Sequence, residues 1–151
     1  MAVFSANRAA FTPSLTTDNW LLWVSANQGG LSVVGIGWGG RGSSSTAYAT
    51  RWTRPTTFDN TGTNLSKERH SPGVAGSGIT ITHSQITPST LTSGDLFSVN
   101  WDVHGGNGQL FLPVNDGWML SGSLGTAEAI SCRNTQGTDA NLSNYWVMWE
   151  E

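Results

Sequence analysis

Lysine is almost missing from this chain. Lys67 is its only one among 151 residues, and Arg and Lys together number seven. Charged side chains make up 11% of the sequence, against roughly 25% in an average domain. The net charge is −3. Binding a phosphate backbone needs clustered Lys and Arg. The nearest approach to a cluster is Arg51, Arg54, Lys67 and Arg69, interrupted by Asp59 and Glu68, so no nucleic-acid partner is expected. A local patch of this kind still suits an acidic protein surface.

Cysteine is just as scarce. Cys132 stands alone, which excludes an intramolecular disulfide and reads as a small half-buried core residue rather than a nucleophile. No apolar run approaches the length of a membrane span, and no membrane partner is expected. The opening Met1-Ala2-Val3-Phe4-Ser5 has no basic stretch followed by an apolar one, so it does not read as a signal peptide. A protein made in cytosol, and kept or assembled there, fits these absences.

What the chain has is aromatic residues and glycine: eight Trp, five Phe, two Tyr and nineteen Gly. Disordered chains lack aromatics, so a folded domain is expected. Helical periodicity is nearly absent, and short apolar runs bounded by turn residues are the mark of strands. Strands are expected near Trp20–Ala26, Leu31–Trp38, Ala47–Thr53, Gly78–Gln85, Leu96–Val103, Gln109–Pro113, Trp118–Leu124, Glu128–Arg133 and Tyr145–Glu150. Turns fall at Asn27-Gln28-Gly29-Gly30, at Asn115-Asp116-Gly117 and at Asn134–Asp139. The run His104-Gly105-Gly106-Asn107-Gly108 has the composition of a hairpin loop.

About eight or nine strands in one domain of this length predict an all-β fold. The first expectation is an antiparallel β-sandwich with jelly-roll-like winding, and the second is a closed β-barrel. Residues 1–15 read as an N-terminal arm or an edge strand. Residues 16–151 read as one β-sandwich domain with a long polar loop near 55–78, whose ordering needs compensating contacts, from a second molecule if not from the domain. In the last strand Tyr145, Val147 and Trp149 share one face, and Trp146 and Met148 the other. Both faces are apolar, so the strand is either central in a sandwich or pressed against a partner.

No reaction is legible. Gly35-Ile36-Gly37-Trp38-Gly39-Gly40 matches the glycine spacing of a dinucleotide site, but Arg41-Gly42-Ser43-Ser44-Ser45-Thr46 follows where a helix is required. The alternative is a strand end that lets backbones approach closely. Asp102 and His104 share a strand face, yet no serine elbow accompanies them; Ser121-Gly122-Ser123-Leu124-Gly125 is the nearest string. They read as a strand end and turn. His70, His83 and His104 are too dispersed for a metal site. The expectation is a chain without catalytic residues, metal or cofactor. Trp23, Trp101 and Trp146 sit among apolar neighbours and are expected in the core. Trp38 and Trp52, flanked by Gly, Arg and Thr, are the candidates for exposed platforms.

Three stretches carry a resemblance. The first is Met1-Ala2-Val3-Phe4-Ser5-Ala6-Asn7-Arg8, an aromatic and a basic residue before a Thr-Pro segment. The second is Val34-Gly35-Ile36-Gly37-Trp38-Gly39-Gly40 with the following strand Tyr48-Ala49-Thr50-Arg51-Trp52. The third is Leu110-Phe111-Leu112-Pro113, Gly117-Trp118-Met119-Leu120-Ser121 and the terminal Glu150-Glu151. Together they resemble the short β-rich virion structural proteins of tailed bacteriophages. The Trp count and the insertion at Pro55–Gly78 depart from that pattern. The resemblance implies a capsid cement, or decoration, protein at the capsid surface of the virion, made in the host cytoplasm. Its partner would be the major capsid protein, and it would act as a homo-oligomer, dimer or trimer. Contact residues are expected to be Val3, Phe4, Arg8 and Phe11 in the arm, Trp38 and Trp52 as platforms, and Arg51, Arg54, Lys67 and Arg69 near the long loop. The alternative function is a carbohydrate- or receptor-binding module, as at a tail-fibre tip or in a lectin.

Overall fold

The computed structural model describes residues 1–43, 45–73, 76–92, 94–113, 117–122, 125–137 and 142–151. The expected turn at 115–117 and loop at 134–139 lie partly outside these residues, as do Ser123 and Leu124. The described residues form twelve strands and no helix. They are β1 (Val3–Phe11), β2 (Trp20–Val24), β3 (Leu31–Gly40), β4 (Ala47–Thr53), β5 (Thr63–Asn64), β6 (Lys67–Arg69), β7 (Thr80–His83), β8 (Phe97–Asp102), β9 (Asn107–Phe111), β10 (Trp118–Leu120), β11 (Glu128–Gln136) and β12 (Ser143–Glu150).

The strands make two open antiparallel sheets in a sandwich-like arrangement. The first runs β10-β3-β12-β1-β6, with β9 also paired to β3, and the second runs β5-β7-β2-β11-β4-β8. Neither order closes on itself, so the closed barrel is excluded among the described residues. Each of the nine strands expected from sequence overlaps an observed one. The count is nevertheless twelve rather than eight or nine, because β1, β5 and β6 add to it.

Among the described residues, no two strands adjacent in sequence pair with each other. The His104–Gly108 run is therefore not a hairpin. It carries the chain from β8 in the second sheet to β9 in the first. Strands β9 and β10 both run antiparallel to β3, β9 against Gly35–Gly39 and β10 against Leu31–Val33. They are two pieces of one interrupted strand, not the arms of a hairpin.

The first fifteen residues are not a free arm. Strand β1 pairs with β12 from Val3↔Glu150 to Phe11↔Ser143, and its Phe4–Ala6 part pairs with β6 on the other side. Beyond Ala6 it forms the margin of the sheet. Phe4 and Ala6 point toward the second sheet and are buried, and Arg8 follows them on the same face. The Phe4 ring stacks on Trp149 at 6.0 Å.

The segment 55–78 is not a plain loop either. It contributes β5 to the second sheet and β6 to the first, so it stitches the two sheets together along one margin. Lys67 donates to the carbonyls of Ser77 at 2.9 Å and Ile79 at 2.6 Å. The compensating contacts come from the domain itself.

The core lies between the sheets. Phe4, Ile36, Tyr145, Val147 and Trp149 enter from the first sheet, and Trp20, Leu22, Trp52, Ile81, Ile130 and Cys132 from the second. A buried polar network ties them across the interior. Asn134 Oδ1 accepts from Tyr145 OH at 2.7 Å, Asn19 Nδ2 at 2.9 Å and Thr50 Oγ1 at 3.1 Å. Trp101 Nε1 donates to Thr50 Oγ1 at 3.0 Å. Burial pushes the Tyr145 hydroxyl well above the usual phenol range. Cys132 is fully buried rather than half-buried, and desolvation raises its thiol well above 9.0.

Candidate functional site

The two sheets differ on their outer faces. Residues 54–60, 85–92 and 94–96 lie over the second sheet. Thr57 and Thr90 form a bridge between these segments, Phe58 packs on Trp23 at 6.3 Å, and Thr53 and Thr92 share a hydrogen bond of 2.7 Å. Beneath this cover sits a buried ion pair. Asp18 Oδ1 accepts from Arg133 Nη2 at 2.6 Å, Arg133 Nε at 2.9 Å and Ser131 Oγ at 2.7 Å, and Ser89 Oγ donates to Oδ2. Leu21, Ser131 and Ala129 are buried although they point away from the core between the sheets.

The first sheet has no such cover among the described residues. The period-2 alternation of β12 sends Tyr145, Val147 and Trp149 inward and leaves Trp146, Met148 and Glu150 on the outside. Register then fixes their neighbours. Met148 and Phe111 both lie opposite Gly35, Trp146 and Gln109 opposite Gly37, and Glu150 and Met119 opposite Ser32. On β1 the outward residues are Val3, Ser5 and Asn7, opposite Glu150, Met148 and Trp146. The centre of this face is therefore Trp146, Met148 and Phe111, with Met119 and Val3 beside them. Phe111 is 58% exposed and Met119 51%. Amides (Asn7, Gln109, Asn107, Asn144) lie at one end, and Glu150 and Glu68 at the margins.

The glycines of β3 make this face flat. The indole of Trp146 lies directly on the backbone at Gly37, where an added Cβ would stand 2.0 Å from Nε1. At Gly35 it would meet Trp146 at 3.1 Å and Phe111 at 3.2 Å. The Phe111 and Trp146 rings are 5.8 Å apart. The dinucleotide-like spacing thus serves as a bed for an aromatic pair. All six residues of Gly35–Gly40 lie inside β3, and no helix follows in the described residues.

The residues expected to make contact are scattered, and some are unavailable. Phe4 and Trp52 are buried in the core, and Trp38 packs on Trp52 at 5.4 Å and on Phe97 at 5.8 Å. They are not exposed platforms. The reason is strand phase: Trp52 shares the inward face of β4 with Tyr48 and Thr50. Of the Trp residues expected in the core, Trp101 is there, whereas Trp146 lies on the outer face of the first sheet and Trp23 on the outward face of β2, under Phe58. Arg8 donates to the carbonyls of Asn19 at 2.9 Å and Asp18 at 3.3 Å and to Ser84 Oγ at 3.1 Å, and its guanidinium lies 3.8 Å from the centre of the Phe11 ring. Desolvation by this packing lowers its pKa to about 10. Phe11 leans on Tyr145 at 5.8 Å. Val3 stays on the outer face.

The four cations do not form one patch. Arg51 is paired with Asp95 at 2.5 Å. Arg54 donates to the Met119 carbonyl and lies 3.7 Å from Glu128, near β10. Lys67 and Arg69 are on β6, at the opposite end of the same sheet from β10.

Asp102 and His104 form a turn rather than a relay. The His104 amide donates to Asp102 Oδ1 at 2.7 Å and Ser45 Oγ donates to Oδ2, which together hold the carboxyl below its ordinary pKa. The His104 ring meets the Gly42 carbonyl at 3.1 Å instead. Among the described residues no three His, Cys, Asp or Glu side chains gather as a metal site would require. No helix of the described residues is long and apolar enough to cross a membrane.

Comparisons with protein-family models, with curated proteins and with solved structures find nothing that matches this chain.

Sequence reasoning missed Trp146, Met148, Phe111 and Met119. A signal existed for the first two, since a strand apolar on both faces needs cover on both. Phe111 was signalled by Leu110-Phe111-Leu112, because one residue in any such run must face away from the core.

Proposed function

We propose that this chain is a virion structural protein of a tailed bacteriophage, a capsid cement protein that holds other protein surfaces by non-covalent contact. The observation that carries this reading is the uncovered outer face of the first sheet. Its centre is rich in aromatic and Met side chains and its charges lie at the margin, the composition of a protein interface. The cement role comes from the sequence resemblance, and the face supplies a surface suited to it. We read the winding as jelly-roll-like, supported by the chain's crossing between sheets at most of its connections. A second set of exposed apolar residues suits contact with a shell. Ile86, Leu142 and Leu15 lie on connections at the end of the sandwich where β1 stops and β2 starts, beside Arg8 and Phe11.

The test is to mix the protein with capsid shells lacking it and to sediment them. Cosedimentation that saturates at a fixed ratio to the shell subunit supports the reading, and protein left wholly in the supernatant refutes it. The amides beside Trp146 and Phe111 favour one alternative, a glycan-stacking platform. Quenching of tryptophan fluorescence by oligosaccharides, with no shell binding, would put that reading first.

A further inference from the structure

Beside Met119, at the end of the open face where β10, β3 and β12 meet, lies a cavity of about 300 Å³ whose walls include Met1, Leu31, Ser32, Met119, Glu150 and Glu151. We propose that it receives an arginine side chain of the protein that the face contacts, with the apolar stem against Leu31 and Met119 and the guanidinium on the Glu150 carboxylate. This rests on the reading of the face as a contact surface and names the chemistry of the partner that such a surface takes.

The cavity follows from strand register. Ser32 lies opposite Met119 on one side and Glu150 on the other, so the three form one row across three strands. Between this row and the Gly35 bed, β12 loses step with β3. Met148 pairs with Gly35 but Trp149 pairs with Val33, which leaves Val34 out of the ladder. Such a bulge bends its strand, and the cavity lies past the bend. Its volume is at the lower end of ligand pockets, roughly 300–1,000 Å³, room for one long side chain rather than a cofactor. Two polar groups in its walls await a partner. Ser32 is 7% exposed, and its hydroxyl is buried with no hydrogen-bond partner among the described residues. A buried polar group left unpaired is costly, so a donor that reaches it is favoured. The Glu150 carboxylate makes no hydrogen bond or ion pair among the described residues. Its neighbour Glu151 is engaged: it accepts from Trp149 Nε1 at 2.8 Å, from the Gly78 amide at 3.3 Å and from Ser77 Oγ. An unpaired carboxylate beside apolar walls suits a cation on an apolar stem. Arginine suits it better than lysine, because the guanidinium is less strongly hydrated and its several N–H groups reach a carboxylate and a hydroxyl together. Nearby cations of this chain are already held. Arg54 donates to the Met119 carbonyl and lies 3.7 Å from Glu128, and Lys67 donates to the Ser77 and Ile79 carbonyls. With a net charge of −3, the chain complements a partner that supplies the missing positive charge.

The test is nuclear magnetic resonance on the full-length chain with isotope-labelled methionine methyl groups. Met119 lines the cavity, and Met148 lies on the same face across the bulge, so their two signals separate the cavity from the rest of the face. The probe is a short capped peptide of glycine and serine with one central arginine. The Met119 signal should shift and saturate with a Kd on the order of 1 mM, the range of a single side chain, while the Met148 signal stays. The same peptide with citrulline for arginine keeps the shape and loses the charge, and should bind about tenfold more weakly or less. Glu150→Gln should weaken the arginine peptide by a similar factor, with near-UV circular dichroism of native form. Glu68→Gln, on β6 at the opposite margin of the sheet, removes the same charge and should leave binding unchanged. An unmoved Met119 signal, equal binding of the citrulline peptide, or equal binding by Glu150→Gln overturns the proposal. So does a Met119 shift that follows protein concentration without peptide, which would put a second copy in the cavity. Shell binding is scored separately. Glu150→Gln that cosediments with shells as the native chain does removes this inference and leaves the cement reading standing. A native chain that binds the arginine peptide but ignores shells does the reverse.

Discussion

Replacing Gly37 by Ala tests the bed on which Trp146 lies. The added Cβ would stand 2.0, 2.2 and 2.7 Å from Nε1, Cε2 and Cζ2 of the indole. No real Cβ tolerates such contacts, so the ring must lift from the sheet. Lifting it returns about 50–100 Å² of apolar surface to water, or roughly 1–2.5 kcal/mol at about 25 cal/mol per Å². Against this, Ala gains about 0.5–1 kcal/mol over Gly in an extended strand. The net expectation is a loss of about 0.3–2 kcal/mol, seen as a melting point lower by up to about 8 °C in a domain of this size. Gly39→Ala is the control, because its nearest neighbour, the Asn107 Cβ, is 3.6 Å away. It should be neutral or slightly stabilising. In a Trp146→Ala background the penalty at Gly37 should vanish, since the two residues act through one contact. Urea and thermal denaturation of the native protein, the three single variants and the double variant settle the matter. Equal stability of Gly37→Ala and Gly39→Ala would show that the indole does not rest where described.

The buried pair offers a larger effect. Asp18→Asn leaves Arg133 buried beside a neutral group and should destabilise by about 3–5 kcal/mol, read by urea denaturation; a loss below about 1 kcal/mol would refute the described geometry. Stability should also fall as pH rises above about 9. Folded Cys132 and Tyr145 hold their protons above the ordinary values of 9.0 and 10.0, so the unfolded chain binds fewer protons there and is favoured. Melting points between pH 8 and 10.5 check this, and a flat profile counts against it. In the folded state Cys132 should resist a thiol reagent at pH 8 and react once denatured. Finally, removing Met1–Phe11 should abolish cooperative unfolding, because β1 supplies Phe4 to the core and a pairing edge to β12. A truncated chain that still melts sharply would restore the arm.

Much of this fold was legible because burial imposes alternation. The pattern of Tyr145–Trp149 located β12 and separated its two faces, and Ala47–Thr53 was expected with the bounds observed. The alternation does not say which face is inward when both are apolar, and so Trp146 and Trp52 exchanged their expected places. Strands β5 and β6 are two and three residues long, with exposed side chains. They exist only because β7 and β1 offer open edges, and those edges depend on residues far away in sequence. The convergence of the outer face was not legible for the same reason: Trp146 and Phe111 each carried a local signal, but Phe111, Met119 and Trp146 come together only through pairing with β3.

That long-range pairing also governs how the molecule comes into being. Among the described strands none is matched to its neighbour in sequence, so none of them forms a local hairpin to nucleate assembly, and Val3 must find Glu150 across almost the whole polypeptide. Such topologies fold in milliseconds to seconds rather than microseconds, and through that interval the tryptophan-rich strands stand open to one another. Recovery from denaturant should therefore drop steeply with protein concentration, so dilution rather than time would set the yield.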